Sequence, residues 1–160
     1  GGRVIAIGKI EDIFSKSGIT HAIHTGSNKE GLELTLLAVK NELDLPSIAY
    51  KDYKGGKAFD LIFTNLVDTD MLYGHRNDAK GYGSAIEEID SYLAKILPEL
   101  SEDDVLFITA DHGCDPTVPG TDHTREMVPL IIYGASVKPE NLGKITGFDY
   151  IADRIRNLIL

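Results

Sequence analysis

The stretch VLFITADHGCDPTVPGTDHTRE, Val105 to Glu126, decides how the chain is read. Val105 to Ile108 is a short apolar, β-rich run with acidic residues before it and small or polar residues after it. That pattern predicts a strand buried in an α/β sheet, and a ligand site is expected beyond its carboxyl end. Asp111 and His112 stand there side by side, both good ligands for a divalent cation. Neighbouring side chains of a regular strand point to opposite faces, a rule that relaxes at a strand-to-loop junction, so the two can serve one ion or two neighbouring ones. Gly113 lets the backbone turn sharply beside them. Pro116, Pro119 and Gly120 keep regular structure from continuing, and the loop they make can return His123 to the strand end. Singly each of these is an ordinary polar loop residue; as a group they suggest a site.

Outward from this stretch, other segments fall into place. Val4 to Ile7 reads as a strand closed by Gly8, and Lys9 to Ser17 as a helix stopped by Gly18. Thr20 to Gly26 looks irregular. Ser27 or Asn28 can cap a helix whose apolar stripe, including Leu32, Leu36, Leu37 and Val39, runs as far as Leu43. Asp52 to Lys57 reads as a turn-rich surface link. Phe59 to Val67 is a second strong strand, again followed by ligand-type residues: Asp68, Asp70 and His75. Tyr82 to Leu97 carries apolar residues every three or four positions and predicts an amphipathic helix, ended by Pro98. Strand, helix and strand in this order predict a right-handed crossover in one parallel sheet, bringing both strand ends to one edge. Val128 to Tyr133 adds a strand, and Phe148 to Leu160 a helix. No internal repeat and no glycine-rich phosphate loop is visible.

The chain has 160 residues, 42% of them hydrophobic, enough for one domain with a sheet and flanking helices. No apolar run approaches a membrane span and no signal peptide is visible, so a soluble, cytoplasmic protein is expected. The formal charge of −9 argues against nucleic acid as a partner. The single cysteine, Cys114, excludes an internal disulfide and suits a reducing compartment. A thiolate beside carboxylates is disfavoured, which argues against a nucleophilic or ligand role for it. The chain begins Gly1-Gly2 without methionine, which suggests a processed product, an expression scar or a fragment.

Five residues are candidate metal ligands on chemistry alone: Asp70, His75, Asp111, His112 and His123. Mixed carboxylate and imidazole ligation suits manganese, zinc or iron better than calcium or magnesium. Two close ions commonly clamp the attacking and leaving oxygens of a phosphoryl transfer. Three ligands of the five can make one site; two leave the other incomplete.

The phrases NLVDTDMLYGHR (Asn65 to Arg76), TADHGCDP (Thr109 to Pro116) and PGTDHTRE (Pro119 to Glu126) resemble the phosphopentomutase family, within the alkaline phosphatase superfamily. Asp-His-Gly alone would point only to the superfamily; the long matches, their order and the intervening helix are specific to the mutases. The resemblance implies an alkaline-phosphatase-like α/β core, a largely parallel sheet flanked by helices. It implies an enzyme with two metal ions, usually Mn2+, that interconverts ribose 1-phosphate or deoxyribose 1-phosphate with the 5-phosphate through a phosphorylated threonine. One ion would be held by Asp70, His75 and His123, with Asp68 as rival to Asp70. The other would take Asp111 and His112, together with an aspartate and the threonine nucleophile from an N-terminal segment.

Here the chain departs from the family pattern. The first metal-binding strand and the nucleophile should precede an inserted cap domain, and neither is in these residues. Residues 1–160 are therefore expected to be the C-terminal portion of the metal-binding core domain, inactive alone. Thr109, Thr117, Thr121 and Thr124 read as hydroxyls bonding locally to backbone. Arg125 can contact phosphate or pair with Glu126, and Arg76 can be a surface charge. The alternatives are another enzyme of the superfamily, such as a phosphoglycerate mutase or a phosphodiesterase, and a non-catalytic metal-binding module. A partial sheet should expose unpaired edges and apolar faces, which predicts self-association.

Overall fold

A computed structural model describes residues 2–45 and 57–159. Strand β1 (Val4–Ile7) lies at the middle of a three-stranded parallel sheet, flanked by β2 (His21–Ile23) and β3 (Leu61–Thr64). Ile5 stands opposite His21 on one side and Ile62 on the other. A central strand covered on both faces needs apolar residues throughout, and Ile5, Ala6 and Ile7 are fully buried. Helix α1 (Ile10–Ile13) is a single turn. The longer helix expected from Lys9 to Ser17 is not formed, because Ser15 and Lys16 turn into the left-handed region before Gly18 is reached.

β2 corrects the expectation of irregular structure over Thr20 to Gly26. Three residues are too few to show a period, and what makes them a strand is the register against β1. Helix α2 (Asn28–Val39) starts as expected, with the Ser27 hydroxyl accepting from Glu30 N–H at 3.2 Å. It ends short of Leu43, at a left-handed Asn41. Leu43 is nevertheless buried, in a core with Ile5, Ile7, Ala38, Ala58 and Phe59. The link expected over Asp52–Lys57 falls, but for Lys57, outside the described residues.

After β3 the chain forms a π-helical turn (Thr69–Tyr73) and a 3-10 turn (Gly74–Arg76). Helix α3 (Ala79–Ile96) follows, capped by Asp78, whose carboxylate accepts from Gly81 N–H at 2.8 Å. It packs against α2, where Tyr92 donates to Glu33 at 3.0 Å. Thr35 of α2 meets Thr64 of β3 hydroxyl to hydroxyl at 2.6 Å. Pro98 sits in a 3-10 turn that closes α3.

Strands β4 (Leu106–Thr109) and β5 (Leu130–Tyr133) form a separate antiparallel pair. The expected crossover therefore does not close into one sheet: among the described residues β3 and β4 are not hydrogen-bonded neighbours. Periodicity identifies a strand but not its partner, and β4 takes β5, the return of its own loop. Helix α4 (Tyr150–Ile159) completes the described fold. The α/β class and the parallel arrangement of β1, β2 and β3 agree with the expected core. Among the described residues no helix is long and apolar enough to cross a membrane. Every buried residue among them lies at or before Ile96, and none lies in the segment that carries β4, β5 and α4.

Candidate metal centre

The end of β3 positions the first candidates. Asp68 and Asn28 bond reciprocally: Asn28 N–H donates to the Asp68 carboxylate at 2.7 Å, and Asp68 N–H to the Asn28 side-chain oxygen at 2.9 Å. Asn28 is buried at the start of α2, so this pair locks β3 to the helix. Asp68 is thereby occupied in the scaffold, and Asp70 alone turns toward the histidines. The tight turn that carries Asp70 needs a glycine at its end. A Cβ on Gly74 would strike the Cys114 sulfur and come within 3.1 Å of the Thr69 carbonyl oxygen. Arg76 is not a free surface charge; its guanidinium donates to the Met71 carbonyl within the same turn.

Asp70, His75 and His123 offer three ligand atoms that all lie within 4.8 Å of one another. Asp70 Oδ1 stands 3.2 Å from His75 Nε2 and 3.4 Å from His123 Nε2, yet it is buried and makes no hydrogen bond. His75 Nδ1 bonds to the Thr121 carbonyl oxygen, which can only accept, so Nδ1 carries the proton. In the neutral form with that tautomer, the ring presents its Nε2 lone pair to the lone pairs of Asp70. Two such atoms at 3.2 Å repel unless a proton or a metal cation stands between them. The orphaned carboxylate oxygen and the convergent imidazoles thus fit a divalent ion.

The loop returning His123 is held by a residue that periodicity could not reveal. Asn77, left-handed at φ 53°, donates through its amide to the Val118 carbonyl at 2.8 Å. The only signal in the sequence is an asparagine, tolerant of that conformation, directly before the Asp78 cap.

Asp111 and His112 lie beside this group without joining it. His112 stacks on His123 with ring centroids 3.7 Å apart, and its Nδ1 is 3.2 Å from the Gly113 carbonyl. Asp111 Oδ1 is 3.7 Å from His112 Nε2, on a side chain 72% exposed. Among the described residues these two find no third ligand. Cys114 is half-buried against Asp70; burial first, then the hydrogen bond to that carboxylate, pushes its thiol up. Burial likewise raises the Tyr82 phenol beside it. The threonine hydroxyls differ from the expected local bonding to backbone: Thr109 donates to the Pro129 carbonyl across the β4–β5 pair, and Thr117 and Thr124 donate to the nearby carboxylates of Asp115 and Glu126. Glu126 takes that hydroxyl, and among the described residues it forms no ion pair with Arg125.

Residues 2–160 match the model of the metalloenzyme superfamily. The chain belongs to that superfamily. Similar proteins include the phosphopentomutase of Clostridium novyi (strain NT), 53% identical over 147 residues, 91% of this chain and 34% of that protein. The phosphopentomutase of Carboxydothermus hydrogenoformans is 48% identical over 159 residues, 99% of this chain and 37% of its own length. That of Caldanaerobacter subterraneus subsp. tengcongensis is 54% identical over 144 residues, covering 89% of this chain and 33% of the relative. The chain spans about a third of the length of the curated relatives it matches.

Proposed function

We propose that residues 1–160 are the C-terminal portion of the metal-binding core of a phosphopentomutase. The whole protein would interconvert (deoxy)ribose 1-phosphate and the 5-phosphate in the cytoplasm. The observation that carries this reading is the convergence of Asp70, His75 and His123 in a chain about half identical to proteins of that name. Those three residues would hold one ion, and Asp111 and His112 would offer two ligands to a second. Manganese suits this mixture of oxygen and nitrogen donors. When bound, such ions supply positive charge to phosphoryl oxygens. The chain's own residues orient the ligands: the Thr121 carbonyl sets the His75 tautomer, and Asn77 holds the returning loop.

With about a third of the relatives' length, the chain alone should not turn over pentose phosphates. Exposed apolar side chains such as Met127, Ile131 and Phe148 support self-association. The acidic balance supports a partner set without nucleic acid.

Titration with Mn2+ tests the centre. At 100 times its Kd, a ligand bound only by the folded state adds about 2.7 kcal/mol, or roughly 5–10 °C in Tm for a chain of this size. His123→Ala should abolish the rise; an unchanged rise in that variant rejects the ligand assignment. Appreciable conversion of ribose 1-phosphate by the Mn2+-loaded chain would reject the claim that it is catalytically incomplete.

A further inference from the structure

The structure assigns Thr124 and Glu126 a positioning role: together they latch the His112 segment to the His123 segment and set the two imidazoles relative to each other. This rests on the metal-centre reading above and deepens it. Thr124 and Gly113 form an antiparallel bridge, with Thr124 N–H donating to the Gly113 carbonyl at 3.1 Å. That carbonyl also faces His112 Nδ1 at 3.2 Å. One oxygen therefore orients the His112 ring and anchors the residue that follows His123.

The Thr124 hydroxyl closes the latch. It accepts from Asp115 N–H at 2.7 Å and donates to the Glu126 carboxylate. A group that both accepts and donates is required, which serine supplies and valine does not. Gly113 is the remaining part. A Cβ there would lie 2.8 Å from Glu126 Oε2 and 2.8 Å from the Thr124 carbonyl oxygen, so only glycine lets the two segments close. His112 and His123 each precede a bridge partner by one residue, and their rings stack at 3.7 Å.

Partners that orient metal-ligating histidines are commonly worth 10- to 100-fold in metal affinity. Calorimetric titration of the full 160-residue chain with Mn2+ should show Thr124→Val weaker by on the order of that range, and Thr124→Ser close to wild type. In the metal-free chain, the imidazole C–H resonances of His112 and His123 should shift in Thr124→Val as the ring stacking changes, and return in Thr124→Ser. Where Thr124→Val does not fold, Glu126→Ala decides, since that exposed side chain can be truncated without disturbing the core. Wild-type affinity in Thr124→Val or in Glu126→Ala overturns the latch, as does failure of Thr124→Ser to restore binding. If the wild-type chain itself takes up no Mn2+, the metal-centre reading falls and the latch with it.

Discussion

Gly74 is the residue on which the geometry of Asp70 depends, because Cys114 and the Thr69 carbonyl occupy the space that a Cβ there would need. Gly74→Ala should cost about 1–3 kcal/mol of stability through overpacking. Cys114→Ala in the same chain should recover part of that cost and leave the part due to Thr69. A denaturant double-mutant cycle measures the coupling, and strict additivity would show that the sulfur is not the obstacle. Asp104 offers a second test. Burial raises its pKa, but the Ser101 N–H and the Lys57 ammonium at 3.2 Å outweigh that and hold it below the ordinary value. A lowered folded pKa contributes stability above the ordinary carboxylate value, lost as pH falls through the folded one. Asp104→Asn should therefore be less stable by about 1 kcal/mol near neutral pH, with the gap closing below about pH 4. A gap independent of pH would contradict the sign.

At this scale much of the candidate site was legible. His75, Asp111, His112 and His123 stand out as a group, since each alone is an ordinary polar residue beyond an apolar strand. Asp70 against Asp68 was not decided by residue type, since both are aspartates two positions apart. What sets Asp68 apart is its reciprocal bonding to the buried Asn28, 40 positions upstream, while Asp70 lies beside the histidines.

Among the elements, α3 was the most legible and β2 the least. The apolar stripe over Tyr82 to Leu97 announces a helix, whereas its first turn, from Ala79 and capped by Asp78, precedes the stripe and is not marked by it. Asp78→Ala should cost about 1 kcal/mol, as an N-cap of this kind does, read as a lowered midpoint in urea; no change would mean that water replaces the cap. The pairing of β4 was misread for a physical reason. The handedness rule for a crossover applies to strands that share a sheet, and nothing local in Leu106–Thr109 says that β5, rather than β3, lies alongside. The histidines still meet, because Asn77 and the Thr121 carbonyl draw the long loop onto the turn after β3.

The whole molecule is uneven in a way that composition cannot convey. Its buried side chains belong to the part ending at Ile96, whereas β4, β5 and α4 hold none among the described residues, and Phe148 is 99% exposed. Apolar residues are spread along the chain, and which of them are covered depends on what packs over them. Local opening should follow that division. Amide exchange at Leu106–Thr109 and Leu130–Tyr133 should be faster than at Val4–Ile7 by hydrogen–deuterium mass spectrometry; equal protection would mean that the two parts unfold as one.

Asp70 and His75 stand on the well-packed side of that divide and His123 on the other. A cation gripped by all three would rivet the looser portion to the firmer one, much as a crosslink would, though reversible by chelation. Stripping it with EDTA should slacken β4 and β5 while sparing β1, so scarcity of the ion would be felt first as fraying and susceptibility to proteases.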